Sequence, residues 1–396
     1  MQILKVKYES LFCYIAIIIG IIMIMITPPI SGPDERTHFL NSYGISIGQI
    51  IPSSNNGILV REFPKNIIEY VDKNENKHKE IIEKNDYISW YYDSWFAEDN
   101  KESVKINYWG IDTHPFSYFF SSLGMFLYRT VLSLLGLSSY LSVYNLIMVG
   151  KLFNLAYYVV TIYTAIKWIP IYKKFAFLLA LMPMPLYQGA SLSYDAILIP
   201  TCFLLTAFII KKSWEDIPVC KKDIALVIMF SIFLFCIKQV YVFLLLPLFS
   251  IPKKRFENRK KYIICILITI IVGVLAYFPF TILVSHLGIV VENIYLQEEQ
   301  LNYVISNPLS FIVAMGNALD SYSGFYRNGF FGIFGNLDTN FPVLFQFGYY
   351  IVLLITLLSD SFNSLHLNLK FKILTLFAII FSLVSIFLLC ILHGHL

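Results

Sequence analysis

The sequence predicts an all-α polytopic membrane protein, and composition carries most of that prediction. Of the 396 residues, 57% are hydrophobic and 14% are charged, whereas soluble domains carry about 25% charged residues. Apolar runs of about 18 or more residues, long enough to cross a bilayer, recur along most of the chain. A single soluble core does not account for so many runs, so we expect one membrane domain over residues 1–396.

The predicted spans follow the apolar runs in order. The first, 11–27, is preceded by Lys5 and Lys7, as a signal peptide would be. However, Thr27-Pro28-Pro29 follows it instead of a small-residue cleavage site, so we expect an uncleaved helix. The remaining predicted spans are 116–136, 143–166, 174–188, 194–210, 223–236, 240–250, 262–284, 343–359 and 372–392.

Two long polar segments, 28–114 and 286–340, interrupt the spans and are acidic. Residues 30–114 hold 14 Asp and Glu against 9 Lys and Arg, and residues 286–340 hold 5 acids and one base, Arg327. Short Lys/Arg-rich loops stay cytoplasmic, so we expect both acidic segments to face outward. The basic loops are residues 5–7, 167–174, 211–222, 253–261 and 370–372.

One basic loop conflicts with this topology. If 116–136 and 143–166 each cross the membrane, the basic loop 167–174 lies outside. Either one of the two segments is re-entrant, or this loop breaks the rule.

Two apolar stretches have polar residues at their centres. The stretch 223–250 is too long for one ordinary span and has Lys238-Gln239 at its middle, and the stretch 174–210 has Ser191 to Asp195. We expect each stretch to form two short helices that meet at those residues.

Local signals add smaller predictions in the polar segments. Asn55-Asn56-Gly57 predicts a turn, Asn74 to Lys79 a surface loop, and 309–319 a short interfacial helix. The aromatic cluster in 90–96 either dips into the membrane interface or packs within a small outer subdomain. The six cysteines include no CxxC pair, so we expect neither a disulfide framework nor a zinc site.

The strongest candidate for chemistry directly follows the first span. Asp34 and Glu35 are neighbouring carboxylates that can divide the roles of base and metal or cation holder, and they are the predicted catalytic residues. His38 lies one helical turn from Asp34 and is a candidate substrate ligand. With the two acids it also forms a candidate site for a divalent cation, Mg²⁺ or Mn²⁺. The alternative is the solvated start of a loop.

Further candidate substrate ligands are scattered along the chain. Charged residues inside membrane segments are costly and are functional candidates by default. Lys238 is the best of these candidates. For Arg129 and Lys151, a functional role and snorkelling of the side chain to the membrane interface are equally good explanations. The alternative for Asp112 or Thr113 is helix capping, and for Asp338 a turn. The candidate substrate-binding residues are His38, Asp112, His114, Asp195, Lys238, Arg327 and Asp338.

Some function classes are disfavoured. The chain has no Walker loop, no dinucleotide fingerprint and no nucleophile elbow. We therefore do not expect ATP-driven transport by this chain alone. We also expect no nucleic-acid partner.

Several motifs together carry a resemblance. Pro33-Asp34-Glu35-x-x-His38-Phe39 resembles the hallmark of a bacterial family of polytopic membrane proteins whose function is unknown. The other matching motifs are Lys151-x-x-Asn154, Ala190-Ser191-x-Ser193-x-Asp195, Lys238-x-x-Tyr241 with Pro247, and Gly335-x-Leu337-Asp338-Thr339-x-x-Pro342. They run in the family's order. Members usually continue with a Gly-Arg-Tyr-type motif where this sequence has His393-Gly394-His395-Leu396.

That family is similar to the C-type glycosyltransferases, and the similarity implies a fold and an activity. It implies a helix bundle of that type with an outer subdomain after the first helix. It also implies sugar transfer from a polyprenyl-phosphate carrier to an extracytoplasmic glycan or wall polymer, at the outward face of a bacterial cell membrane. Asp34 would be the base or metal ligand, and Lys238 and Arg327 would meet the carrier phosphate.

Two other classes remain open at this point. A transporter or flippase of lipid-linked glycans would use the same intramembrane charges, although the large acidic outer segment and the lack of a clear inverted repeat disfavour it. A scaffold without chemistry would tolerate the loss of the Asp34 carboxylate.

Overall fold

The computed structural model describes residues 7–84, 102–137, 141–290, 294–362 and 368–392. Within these ranges, six helices are long and apolar enough to cross a membrane, which agrees with the expected all-α membrane protein. The six are Tyr8–Ile26, Val143–Trp168, Asp195–Trp214, Arg259–Leu287, Val343–Asp360 and Leu369–Cys390.

The helices are numbered in chain order. They are α1 Tyr8–Ile26, α2 Glu35–Ser46, α3 Lys65–Lys84, α4 Phe119–Leu134, α5 Val143–Trp168, α6 Lys173–Ala180, α7 Pro183–Gly189, α8 Asp195–Trp214, α9 Lys221–Ile237, α10 Arg259–Leu287, α11 Ile294–Ser306, α12 Pro308–Ser321, α13 Ser323–Phe331, α14 Val343–Phe362 and α15 Leu369–Leu392. In the described ranges, 3₁₀ helices cover Pro115–Tyr118, Gln239–Ser250 and Lys253–Arg255.

The basic loops meet at one end of the bundle. Lys173, which opens α6, pairs with Glu9 in the first turn of α1 at 3.7 Å. The Lys211 ammonium lies 5.5 Å from the ring centre of Trp168, the last residue of α5. This end of the bundle therefore brings the start of α1 together with the loops 167–174 and 211–222.

Two more contacts extend the same end. Asp360, near the end of α14, accepts hydrogen bonds from the backbone N–H groups of Lys174 and Phe175 at 3.1 and 3.2 Å. Arg255 forms an ion pair with Asp216. The loop 253–261 and the end of α14 thus join the basic end, an arrangement that the clustering of Lys and Arg predicts for one side of a membrane.

Helix α4 bears on the conflict over the loop 167–174. Its first turn stacks Phe120 on Tyr157 of α5 at 4.1 Å, and further along Tyr128 accepts a hydrogen bond from Asn145 at 3.1 Å. Helix α4 therefore runs only beside the half of α5 that is remote from the basic end. Its packing along only part of α5 favours the re-entrant alternative for segment 116–136.

The segment after α1 builds an outer subdomain around a small sheet. Strands β1 Ser53–Asn55, β2 Ile58–Pro64 and β3 Ser103–Ile106 are antiparallel in the order β1-β2-β3. Asn56 and Gly57 have φ of 50° and 79°, the left-handed pair of a two-residue hairpin turn, so the predicted turn is confirmed.

Other local predictions have mixed outcomes. Residues 74–79, predicted as a loop, lie within α3, so that prediction is wrong; the helix has an amphipathic pattern that outweighs its polar composition. The predicted helix 309–319 is confirmed as α12. All six cysteines are free. The cluster in 90–96 and the end 393–396 lie outside the described residues.

Both predicted helix breaks are present. Helix α9 ends at Ile237, Lys238 is extended, and a 3₁₀ helix starts at Gln239. The predicted span 174–188 is itself divided into α6 and α7, because Pro183 starts a new helix. A further apolar core packs Phe39 and Leu40 of α2 with Leu146 of α5 and Val284 of α10, which fixes the outer subdomain on the bundle.

Labelling tests which end of the bundle faces the cytoplasm. Cys220 is exposed at the basic end, and Ser54 is exposed on β1 at the other end. We expect a membrane-impermeant maleimide to label a Ser54→Cys/Cys220→Ser variant in intact cells, and to label native Cys220 only in inverted vesicles. Labelling of Cys220 in intact cells would contradict the topology.

Candidate functional site

A small polar cavity lies at the end of the bundle remote from the basic loops. It has a volume of about 120 Å³ and is bounded by the end of α1, the start of α2, the middle of α5 and the loop that precedes α8. Four of the predicted site residues line it, together with one residue that the sequence left ambiguous. They are Asp34, Glu35, His38, Asp195 and Lys151.

A buried ion pair forms the floor of this cavity. Lys151 Nζ lies 2.6 Å from Glu35 Oε1, and their side chains are 1% and 5% exposed. Glu35 Oε2 also accepts hydrogen bonds from the N–H groups of Ser31 and Gly32 at 2.9 and 3.0 Å. Lys151 therefore pairs with Glu35 and does not snorkel, which decides between its two alternatives. Glu35 takes the cation-holding role of the two roles expected for this acid pair and also holds the 31–35 turn; a catalytic role for it stays a prediction.

Asp34 is presented by that turn. Its φ of 55° lies in the left-handed region, which Asp adopts more readily than most non-glycine residues but still at a cost in energy. Its side chain is exposed, while its backbone carbonyl accepts the hydrogen bond from His38 N–H at 3.0 Å. The structure therefore places one exposed carboxylate on the rim of the cavity, beside a second carboxylate that is neutralised.

His38 is buried and uncharged at neutral pH. Its Nδ1 lies 2.9 Å from the Tyr118 hydroxyl, and its ring meets Tyr194 edge-on at 5.1 Å. Burial lowers the pKa of His38 to about 4, against a smaller upward effect from Glu35 and with a further lowering by Lys238. A neutral imidazole can donate or accept one hydrogen bond in this cavity without adding charge.

The loop before α8 is held by hydrogen bonds from α5 and from its own serines. Asn154, one helical turn after Lys151, donates to the Ser191 carbonyl at 2.8 Å. Ser191 Oγ accepts from Ser193 N–H, and Ser193 Oγ accepts from Asp195 N–H. These bonds place Asp195 at the first turn of α8, facing the cavity.

Lys238 approaches this group through aromatic rings. Its ammonium lies 5.3 Å from the ring centre of Tyr194 and 5.9 Å from that of Tyr241, and it interacts electrostatically with Asp195. Because Tyr194 also contacts His38, one ring connects the cation at the break after α9 with the polar cavity. The Lys-x-x-Tyr spacing thus places both residues at one locus.

Asp112 and His114 belong to a second and larger cavity, of about 690 Å³, which shares His38 and Tyr194 with the first. His114, rather than Asp112 or Thr113, caps the following 3₁₀ helix, because its Nδ1 accepts from Phe116 N–H at 3.3 Å. Burial lowers the pKa of His114 to about 4. Helix capping, which was the alternative explanation for Asp112 or Thr113, is therefore carried out by His114.

Arg327 and Asp338 lie outside both cavities. Arg327 is exposed and its guanidinium lies 5.9 Å from the ring centre of Phe347. Asp338 is exposed in the hairpin between β4 Ile333–Phe334 and β5 Thr339–Asn340. Phe334 of that hairpin packs on Tyr187 at 4.8 Å, and Tyr187 lines the polar cavity. The structure therefore does not bring Arg327 and Asp338 to the cavities, and their roles as substrate ligands stay predictions.

The donor set does not fit the predicted divalent cation. Within the described parts of the chain, no three His, Cys, Asp or Glu side chains are grouped to hold a metal ion. Both oxygens of Glu35 are engaged by Lys151 and by backbone N–H groups, and the Nδ1 of His38 is engaged by Tyr118. We therefore derive no chemical step through a metal.

Sequence reasoning missed a buried arginine beneath α2. Arg61 of β2 is 1% exposed and donates to the Tyr108 hydroxyl at 2.9 Å and to the Asn41 amide oxygen. Asn41 in turn donates to the Gly110 carbonyl at 3.0 Å. The sequence feature that could have indicated this buried arginine is its inward-facing position in the short apolar strand Ile58–Pro64.

The fold and the site define a polytopic helical membrane protein with a polar site at the end of its bundle opposite the basic loops. The family model described as "Predicted membrane protein (DUF2142)" matches residues 17–393. The chain therefore belongs to this family of membrane proteins, whose function is unknown. No curated protein matches the chain, and no solved structure does.

The buried ion pair should be essential to stability. We expect Lys151→Met to lower the free energy of unfolding by about 3–5 kcal/mol, because Glu35 would remain buried without its counter-charge. A Glu35→Gln/Lys151→Met double variant should recover much of that loss. The matched control is Lys65→Met, whose pair with Glu102 at 3.1 Å is solvent-exposed and should contribute little to stability. Equal effects in thermal unfolding would contradict this role.

Stability should also depend on pH through the two buried histidines. The pKa of His38 is about 4 when folded and 6.5 ordinarily, so the unfolded chain binds the proton between those values. Stability is then complete above pH 6.5 and falls as the pH drops towards 4. We expect His38→Gln to weaken that fall, and His38→Gln/His114→Gln to weaken it further. An unchanged pH dependence of thermal unfolding in the double variant would be the contrary result.

Proposed function

We propose that this protein is a membrane glycosyltransferase that moves a sugar from a polyprenyl-phosphate carrier to an extracytoplasmic acceptor in a bacterial cell envelope. One observation carries the proposal: the exposed Asp34 carboxylate stands on the rim of a polar cavity, beside a carboxylate whose charge is already neutralised. Such an arrangement leaves one acid for proton transfer at the membrane surface. The resemblance to C-type glycosyltransferases supports the same choice.

Asp34 is the proposed general base. It takes the proton from the acceptor hydroxyl as the acceptor oxygen bonds to the anomeric carbon of the sugar. The bond between that carbon and the carrier phosphate breaks, and the polyprenyl phosphate leaves with the electron pair. General-base catalysis by one side chain contributes about 10²–10⁴-fold in rate.

Lys238 is the proposed partner of the departing phosphate. Its ammonium lies 5.3 and 5.9 Å from the ring centres of Tyr194 and Tyr241, and its acidic neighbour is Asp195. A cation placed where negative charge develops stabilises the transition state more than the ground state. Lys151, by contrast, is buried under the cavity and is a structural cation.

An apolar groove next to Lys238 suits the carrier's chain. A cavity of about 190 Å³ lies between α9, the 239–250 helix and α10, and nearly all its lining is apolar. Phe235 and Val242, three and four residues from Lys238, line it. The groove extends from these two residues to Asp223 and Phe256 near the basic loops, and the carrier's chain would lie in it with its phosphate end towards Lys238.

The proposal is tested by mass spectrometry of surface glycans in matched strains. We expect a deletion strain and an Asp34→Asn strain to lose the same sugar and to accumulate the carrier-linked sugar, with Asp34→Asn reducing transfer by about 10²-fold or more. The matched control is Asp320→Asn, an exposed acid of α12 outside both cavities, which should retain the wild-type glycan.

Other outcomes would point to other classes of protein. If Asp34→Asn restores the wild-type glycan, Asp34 is not the base and the proposed mechanism fails. If purified protein in vesicles moves the labelled lipid-linked sugar across the bilayer but never forms a glycosidic bond, the protein is a flippase.

A further inference from the structure

The second cavity has two walls of different chemistry. This cavity, which we call the outer cavity, lies between the outer subdomain and α10. Tyr277, Phe280 and Val284 of α10 form an apolar wall, and Asp112 and Thr113 stand on the opposite wall. Its volume of about 690 Å³ falls in the range of ligand sites, about 300–1,000 Å³.

The charge of the outer cavity argues against a phosphate ligand. Among the described residues that line it, there is no Lys or Arg, and the one carboxylate is Asp112. Its two histidines are neutral at pH 7, because burial lowers the pKa of each to about 4. An anion placed here would meet an acid and no base, so the ligand that fits is uncharged and rich in hydroxyl groups.

Trp109 is the side chain best placed to hold such a ligand. It lines the outer cavity and is 53% exposed, so a large part of its ring is open to a ligand. Its backbone is fixed independently of its ring, because the Trp109 carbonyl accepts from Thr37 Oγ1 at 3.2 Å and the next carbonyl, of Gly110, accepts from Asn41.

The two cavities meet at His38 and Tyr194, which line both. Because the two rings are in edge-on contact at 5.1 Å, they form a wall shared by both cavities, and a hydroxyl group of a ligand in the outer cavity reaches Asp34 only when one of these rings turns aside. Lys238, which contacts the Tyr194 ring, lies at the same junction. The charged carrier at Lys238 and the uncharged partner in the outer cavity would thus occupy separate places around Tyr194.

We propose that the outer cavity is the acceptor site and that it binds an uncharged sugar ring, with Trp109 packed against the ring face and Asp112 accepting hydrogen bonds from its hydroxyls. The assignment as acceptor site rests on the proposed function; sugar binding in the cavity does not. An aromatic ring offers a flat apolar surface to the C–H face of a sugar, and a carboxylate is a strong acceptor for hydroxyl donors.

Binding is tested on the purified full-length chain in lipid nanodiscs. The probes are methyl α-glucoside, methyl α-galactoside, methyl α-mannoside and N-acetylglucosamine, with inorganic phosphate as the charged comparison. We expect at least one sugar to give a saturable change in tryptophan fluorescence that is absent in Trp109→Phe. By calorimetry, we expect that sugar to bind at least tenfold more weakly to Trp109→Ala and Asp112→Asn, and phosphate not to bind in this cavity.

The matched control is Ile51→Ala, an exposed apolar residue of the same subdomain, which should bind the sugar as the wild type does. If none of the four sugars binds, or if binding is equal in wild type, Trp109→Ala and Asp112→Asn, the proposal is overturned. Phosphate binding that depends on Trp109 and Asp112 would also overturn it.

A cellular readout separates this inference from the proposed function. A Trp109→Ala strain should lose the surface sugar while accumulating the carrier-linked sugar, as Asp34→Asn does. If Asp34→Asn loses the sugar and Trp109→Ala keeps it, the acceptor site is wrong and the enzyme stands. If sugar binds at Trp109 but the deletion strain has a normal glycan, the cavity stands and the transferase does not.

Discussion

The buried pair of Glu35 and Lys151 is the interaction on which the site depends. Neither charge is stable alone at 5% and 1% exposure, because the desolvation of each ion costs several kcal/mol that only the other offsets. The remaining Glu35 oxygen gathers the N–H groups of Ser31 and Gly32. One carboxylate therefore joins α5 to the turn that links α1 and α2, and it places the neighbouring Asp34 at the cavity rim.

The same constraint explains how two adjacent acids come to differ. In water, Asp34 and Glu35 would be nearly equivalent carboxylates; here the cation of α5 selects one of them. Glu35 becomes part of the framework, and Asp34, held in a left-handed conformation, remains exposed. A division of this kind leaves one acid available for proton transfer, which is the basis of the proposed chemistry.

Breaks in the helices supply the other polar groups. Lys238 and Asp195 lie where apolar stretches are interrupted, so that polar side chains and freed backbone groups face cavities rather than lipid. Tyr194, between them, contacts both Lys238 and His38. These contacts bring together polar groups from three distant parts of the chain, namely His38, Tyr194 with Asp195, and Lys238. The group lies near the apolar groove and beside the outer cavity.

The amino-acid sequence by itself determined the class of fold, the helix breaks and most of the groups at the site. Long apolar runs in a chain with few charges have no other stable form, since backbone groups in lipid must be satisfied within helices. The placement of acids after the first span and of a lysine at the centre of 223–250 was likewise readable, because intramembrane charges are too costly to retain without a role.

Only the tertiary structure decided which of those charges are partners. Lys151 could snorkel or pair, and the choice depended on Glu35, which is 116 positions away in the chain but 2.6 Å away in space. Segment 116–136 could cross or return, and its packing along only part of α5 favours a return. Arg327 and Asp338 were candidate substrate ligands alongside Lys238, yet they lie outside both cavities. Such outcomes depend on long-range packing, which local patterns of residues do not encode.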